Sequence, residues 1–114
     1  MSARSRWPLS AHAARAPVFA ALGDETRLAL IGKLCNGPRR SISQLARGAG
    51  VTRQAITKHL GVLQRAGVVR NLRQGRESLF ELEPRQIEDL KLYLDHISRE
   101  WDEALARLKL FVED

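Results

Sequence analysis

Apolar residues recur at helical spacing along most of this chain and crowd at strand-like density in one short stretch. The first sixteen residues are basic, small and broken by Pro8, and read as a mobile arm or a short helix. Pro17 is placed to open a helix carrying Val18, Phe19 and Leu22, which Gly23 stops. Asp24 is a good N-cap for the next helix, whose Leu28, Ile31, Leu34 and Cys35 predict a core-facing stripe as far as Asn36-Gly37-Pro38. Ser41 and Gln44 have capping-box spacing, with Ser43 as the alternative cap, and start a short helix turning Leu45 and Ala46 inward. After the turn Gly48-Ala49-Gly50-Val51, Thr52 caps a helix with Ala55, Ile56, Leu60 and Leu63 on its core face. Arg53, Gln54, Thr57 and Lys58 share its other face. Beyond Gly67, Val68–Leu72 and Leu79–Leu82 predict a strand pair around Arg73-Gln74-Gly75-Arg76, a wing. Pro84 opens a last helix in which Ile87, Leu90, Leu94, Ile97, Trp101, Ala104, Leu108 and Phe111 keep a three-four alternation to the end. Such a seam calls for a partner helix.

The order of elements predicts a mainly α fold with a small β-hairpin wing: a winged helix-turn-helix followed by a long C-terminal dimerisation helix. The expected divisions are a basic arm at 1–16, a DNA-binding domain at 17–83 and the dimerisation helix at 84–114. With 114 residues and 44% apolar content, the chain holds one small core, against which a long terminal helix has little to lie. A homodimer is therefore expected, with Ile87, Leu90, Leu94, Ile97, Trp101, Leu108 and Phe111 at its interface.

Charge sharpens the picture. Between Glu25 and Glu77 there is no acid, while Arg27, Lys33, Arg39, Arg40, Arg47, Arg53, Lys58, Arg65, Arg70, Arg73 and Arg76 all fall inside that span. Residues 1–83 carry a net +9 and residues 84–114 a net −3, within an overall +6. A positive field so localised is the footprint of a polyanion-binding face, and it coincides with the helix-turn-helix. The expected partner is double-stranded DNA.

A helix fits the major groove, where Arg pairs with guanine and Gln with adenine through two hydrogen bonds. Its N-terminal end enters the groove, so Thr52, Arg53, Gln54, Thr57 and Lys58 are the candidates for base and near-base contacts, with His59 at the margin. Arg73 and Arg76 flank Gly75 at the wing tip and can reach phosphates, as can Arg40, beside Arg39, just before the helix-turn-helix. Arg47 and Arg65 need do no more than solvate helix surfaces.

Little here suits catalysis: His12, His59 and His96 are scattered, and there is no glycine-rich phosphate loop. Neither a catalytic residue nor a cofactor is predicted. His96 and Glu100 stand at i, i+4 beside Asp95, a spacing that can hold a metal, but a solvated charged face is the favoured reading and no metal site is assigned. Cys35, in phase with Leu28 and Ile31, reads as a buried structural thiol, and a lone cysteine suits a reducing cytoplasm. No apolar run approaches a membrane span or a signal-peptide core.

From Val18 to Leu82 the chain resembles the ArsR/SmtB family of bacterial winged-helix transcriptional regulators, on the segments ALGDETRLALIGKL, ISQLARGAGVTRQAITKHLGVLQRAGVVR and GRESLFEL. The resemblance implies a homodimer built on the first and last helices, an operator that is an imperfect inverted repeat, and repression relieved by a signal. Metal-sensing members look like ELCVCDL where the third helix begins; here stands Arg40-Ser41-Ile42-Ser43-Gln44-Leu45-Ala46, with no thiolate. The terminal-helix pattern of Asp-x-His and later ligands is unmatched too, so the chain is similar to the non-metal branch. The alternatives are a protein-interaction module with vestigial DNA binding and a metal-responsive repressor using the terminal helix. Operator, regulated genes and effector are not written in these residues.

Overall fold

The computed structural model describes residues 8–113. In chain order it has α1 (Leu9–Leu22), α2 (Glu25–Cys35), β1 (Arg40–Ser41), α3 (Ile42–Ala46), α4 (Arg53–Arg65), β2 (Val69–Gln74), β3 (Glu77–Leu82) and α5 (Pro84–Glu113). The mainly α, winged helix-turn-helix architecture is as the sequence predicts, and none of the described helices is long and apolar enough to cross a membrane.

The first helix differs from expectation. It begins at Leu9, so Pro17 lies in its interior and not at its start. The Ala-rich stretch ahead of Pro17 has the highest helix propensity available, which offsets the missing proline N–H. Tertiary contacts anchor the helix as well: Val18 and Ala21 are buried, and an Arg15–Asp89 ion pair of 2.7 Å ties it to α5. Of the basic arm expected at 1–16, residues 1–7 lie outside the described residues.

Helix α2 is capped by Asp24, whose carboxylate accepts the Arg27 N–H at 3.0 Å. Its core stripe is Leu30 and Leu34 with Ile31 packed beside them. Leu28, two positions from Leu30 and so across the helix from it, is 55% exposed. Cys35 is exposed as well, which corrects the buried thiol read from its phase with Leu28. In α3 the capping box forms as predicted, on Ser41: its hydroxyl accepts the Gln44 N–H, while Gln44 Oε1 accepts the Ser41 N–H at 2.8 Å.

Leu45, Ile56, Leu60, Leu63 and Val68 are completely or almost completely buried and form the centre of the core, joined by Leu30, Val69, Phe80 and Leu90. The wing is longer than the apolar run suggested. Its antiparallel ladder continues to Gln74↔Glu77, leaving Gly75, at φ 64°, and Arg76 as a two-residue turn. Backbone pairing extends through solvated polar residues that no hydrophobic pattern marks. For the same reason β1 escapes the sequence: two residues, Arg40↔Phe80 and Ser41↔Leu79, add a third strand in the order β1-β3-β2.

Helix α5 has 30 residues, about 45 Å of rise, and gives the molecule its extents of 62 × 28 × 21 Å. Its first half packs on its own domain through Leu90, Tyr93 and His96. His96 is 6% exposed with Glu100 at 3.7 Å, so it is no part of a solvated charged face. Past that point the seam lies bare, with Trp101 67% and Phe111 82% exposed.

Candidate nucleic-acid interface

The candidate recognition element is α4. Two glycines in the preceding turn, Gly48 at φ 72° and Gly50 at φ 75°, take left-handed conformations that side chains resist, and so reverse the chain between α3 and α4. Thr52 then caps α4 by accepting the Ala55 N–H at 3.1 Å. Ile56, Leu60 and Leu63 are driven into the core, and the helical period leaves Arg53, Gln54, Thr57 and Lys58 exposed on the opposite face. The Thr57 hydroxyl donates to the Arg53 carbonyl at 2.9 Å, and its oxygen can still accept.

The cations of the acid-free run divide into two sets. One set serves the fold. Lys33 donates to the Leu45 and Arg47 carbonyls at 3.0 and 3.3 Å, closing the end of α3. Arg40 is half-buried and its Nε donates to the Lys33 carbonyl at 3.1 Å, so this candidate phosphate contact has a duty inside the molecule. Arg39 and Arg70 both lie against Glu81, at 3.4 and 2.9 Å, and Arg70 also approaches Glu83 at 3.6 Å. Arg27 points inward to the Ala21 carbonyl and His59.

The other set has no carboxylate partner among the described residues: Arg47, Arg53, Lys58, Arg65, Arg73 and Arg76. All six are exposed. Five of them stand on α4 or at the wing tip, and four of these, Arg53, Lys58, Arg73 and Arg76, are candidates that the sequence named.

His59, the marginal candidate among the base readers, has neighbours inside the molecule. Its side chain is 24% exposed, with Nδ1 3.2 Å from Arg27 Nη1 and 3.8 Å from Asp24 Oδ2. The Arg27 N–H foremost, with the Arg27 charge adding, holds the Asp24 carboxyl below the ordinary carboxylate range against partial desolvation. Sequence reasoning missed Arg27 as a partner of α4; nothing in spacing connects positions 32 residues apart.

A helix-turn-helix domain family matches residues 22–71. A helix-turn-helix-type transcriptional regulator of Mycobacterium tuberculosis, Rv2034, is 36% identical over 86 residues, 75% of this chain and 77% of its own length. The solved structure of an ArsR-like transcriptional regulator from Rhodococcus sp. RHA1 is 37% identical, with a TM-score of 0.76 over 94% of this chain and 97% of that one. The chain belongs to the ArsR family. It is a DNA-binding transcriptional regulator of the winged helix-turn-helix type. The fold also matches a homodimeric winged helix-turn-helix DNA-binding domain from Mycobacterium bovis, with a TM-score of 0.65 over 88% of this chain and 92% of that one at 21% identity. Within the ArsR frame, α3 and α4 are the helix-turn-helix, β2 and β3 the wing.

Proposed function

We propose that this ArsR-family protein is a homodimeric, sequence-specific repressor that occludes an imperfect inverted-repeat operator in the cytoplasm. The reading rests on one observation above all: the outward face of α4 carries Arg53, Gln54, Thr57 and Lys58 in the open, while the inward cations around it are spent on the fold. Arg53 and Gln54 supply paired hydrogen bonds to base edges, Thr57 and Lys58 near-base contacts, and the exposed Thr52 stands at the helix end that enters the groove. Arg73 and Arg76 hold phosphate, and Arg40 adds at most a remaining guanidinium nitrogen. Dimerisation is supported by the bare apolar stripe of α5, in which Leu94, Trp101, Leu108 and Phe111 are exposed and continue the line of Ile87, Leu90 and Ile97. Pairing there sets two recognition helices about one DNA turn apart, roughly 34–36 Å, and so favours an inverted repeat. No cofactor enters this reading.

Selection of bound duplexes from a random pool tests it. An inverted repeat is expected to emerge. Against that duplex, Arg53→Ala and Gln54→Ala each cost about 1–3 kcal/mol and relax preference at one position of the half-site. Equal losses on selected and random DNA overturn the base-reading role.

A further inference from the structure

We propose that His59 is a positioning residue of the recognition helix: through Arg27 it sets the rotation of α4 about its own axis, and it does not itself touch DNA. The inference deepens the reading of α4 as the base-reading helix and rests on it.

The contacts form a chain across three helices. At the end of α1, the Ala21 carbonyl accepts from Arg27 Nε. Arg27 belongs to the first turn of α2, where its own N–H is taken by the Asp24 carboxylate at 3.0 Å. Its Nη1 lies 3.2 Å from His59 Nδ1 on α4, with the Asp24 carboxylate 3.8 Å from the same nitrogen. Arginine has no acceptor, so this pair is a hydrogen bond in the neutral tautomer whose proton is on Nε2, with Nδ1 accepting. A guanidinium is a rigid fork; two of its nitrogens committed to different helices fix the end of α1 and the flank of α4 in one plane.

His59 also stands where such a bond has leverage. Ile56, Leu60 and Leu63 hold α4 to the core, but the hydrophobic driving force is non-directional, whereas a hydrogen bond sets an orientation. Lys58, the neighbouring position, is on the open face, so the His59 ring marks the edge between that face and the buried one. A bond at that edge opposes roll, where a bond at the bottom of the helix opposes only lifting. The tolerance is narrow: a roll of about 15° carries an atom ~6 Å from the axis through roughly 1.5 Å. A base-edge hydrogen bond does not survive that displacement.

The measurement is the ratio of affinities for the selected duplex and a random duplex, taken across a salt series, for wild type, His59→Leu, His59→Asn, Arg27→Lys and Arg53→Ala. Asparagine keeps an acceptor near the place of Nδ1; leucine keeps bulk alone. Lysine keeps the Arg27 charge but has no fork. His59→Leu is expected to lower the ratio about tenfold, the worth of one good base contact, and leave the salt slope on random DNA unchanged. His59→Asn restores most of the ratio, Arg27→Lys lowers it, and Arg27→Lys with His59→Leu falls no further than either alone. Parallel thermal unfolding confirms that each variant is folded at the assay temperature. A salt slope smaller by about 0.9 with equal losses on both duplexes makes His59 a phosphate contact and overturns the proposal. A ratio insensitive to His59→Leu but sensitive to Arg53→Ala overturns it too, leaving α4 as the reader. Insensitivity to Arg53→Ala removes the reading of α4 itself, and the proposal with it.

Discussion

Arg70, Arg73 and Arg76 follow one another along the wing, yet only the last two have no carboxylate partner among the described residues. Glu81, opposite Arg70 in the ladder, takes its guanidinium at 2.9 Å, and Glu83 adds a second carboxylate. Arg76→Ala is therefore expected to weaken binding to all duplexes alike and to reduce the log-log salt slope by about 0.9, whereas Arg70→Ala leaves the slope as it was. Titration at several salt concentrations separates the two. Asp24 gives a second expectation at this scale. Its folded carboxyl is held low by the Arg27 N–H, so its stabilising contribution is present at neutral pH and is lost as pH falls through that lowered value. The stability gap between wild type and Asp24→Ala should narrow below about pH 4, and a gap independent of pH contradicts the role. The outward residues of α4 were legible because a strong helical period names both faces at once. Leu28, Cys35 and His59 were not. Around α2 the apolar residues cover several sides, and which one faces inward depends on contacts with α1, α3 and α4 that leave no local mark.

Among the elements, the short α3 depends most on its cap, having five residues and one buried leucine, Leu45. Ser41 and Gln44 satisfy each other's backbone N–H groups there. Ser41→Ala should cost about 1 kcal/mol in chemical denaturation, since it removes one acceptor and leaves a donor in a nearly buried place. This cap was readable from spacing alone, as were the start of α5 at Pro84 and the glycines of the turn. The beginning of α1 and the strand β1 were hidden for opposite reasons. In α1 a proline with a familiar preference masked an Ala-rich helix already under way. In β1 there is almost no intrinsic preference, and pairing with Phe80 and Leu79 makes the strand.

For the molecule as a whole, the test of assembly lies in the second half of α5. Trp101 is mostly exposed in a single subunit, so Trp101→Glu should leave the winged domain folded and yet place a carboxylate in the proposed seam. Sedimentation is expected to show monomers with much weaker operator binding; a variant still dimeric at wild-type concentration moves the interface elsewhere. The joint between β3 and α5 has a consequence of a mechanical kind. Only Glu83 separates the last residue of the wing from the first of the long helix, and its N–H is held by the Val68 carbonyl at 2.8 Å. Gln86 reaches back to the Ala66 carbonyl at the end of α4, at 3.3 Å. The hinge is thus splinted from both sides, and the wing, the reading helix and the α5 rod turn as one lever. In a pair of such subunits, a small change in the angle at which the rods cross swings both wing tips through a larger arc. If the rods pair as proposed, anything that pries at the crossing point, far from the DNA, would alter the grip on it without rearranging a single residue of α4.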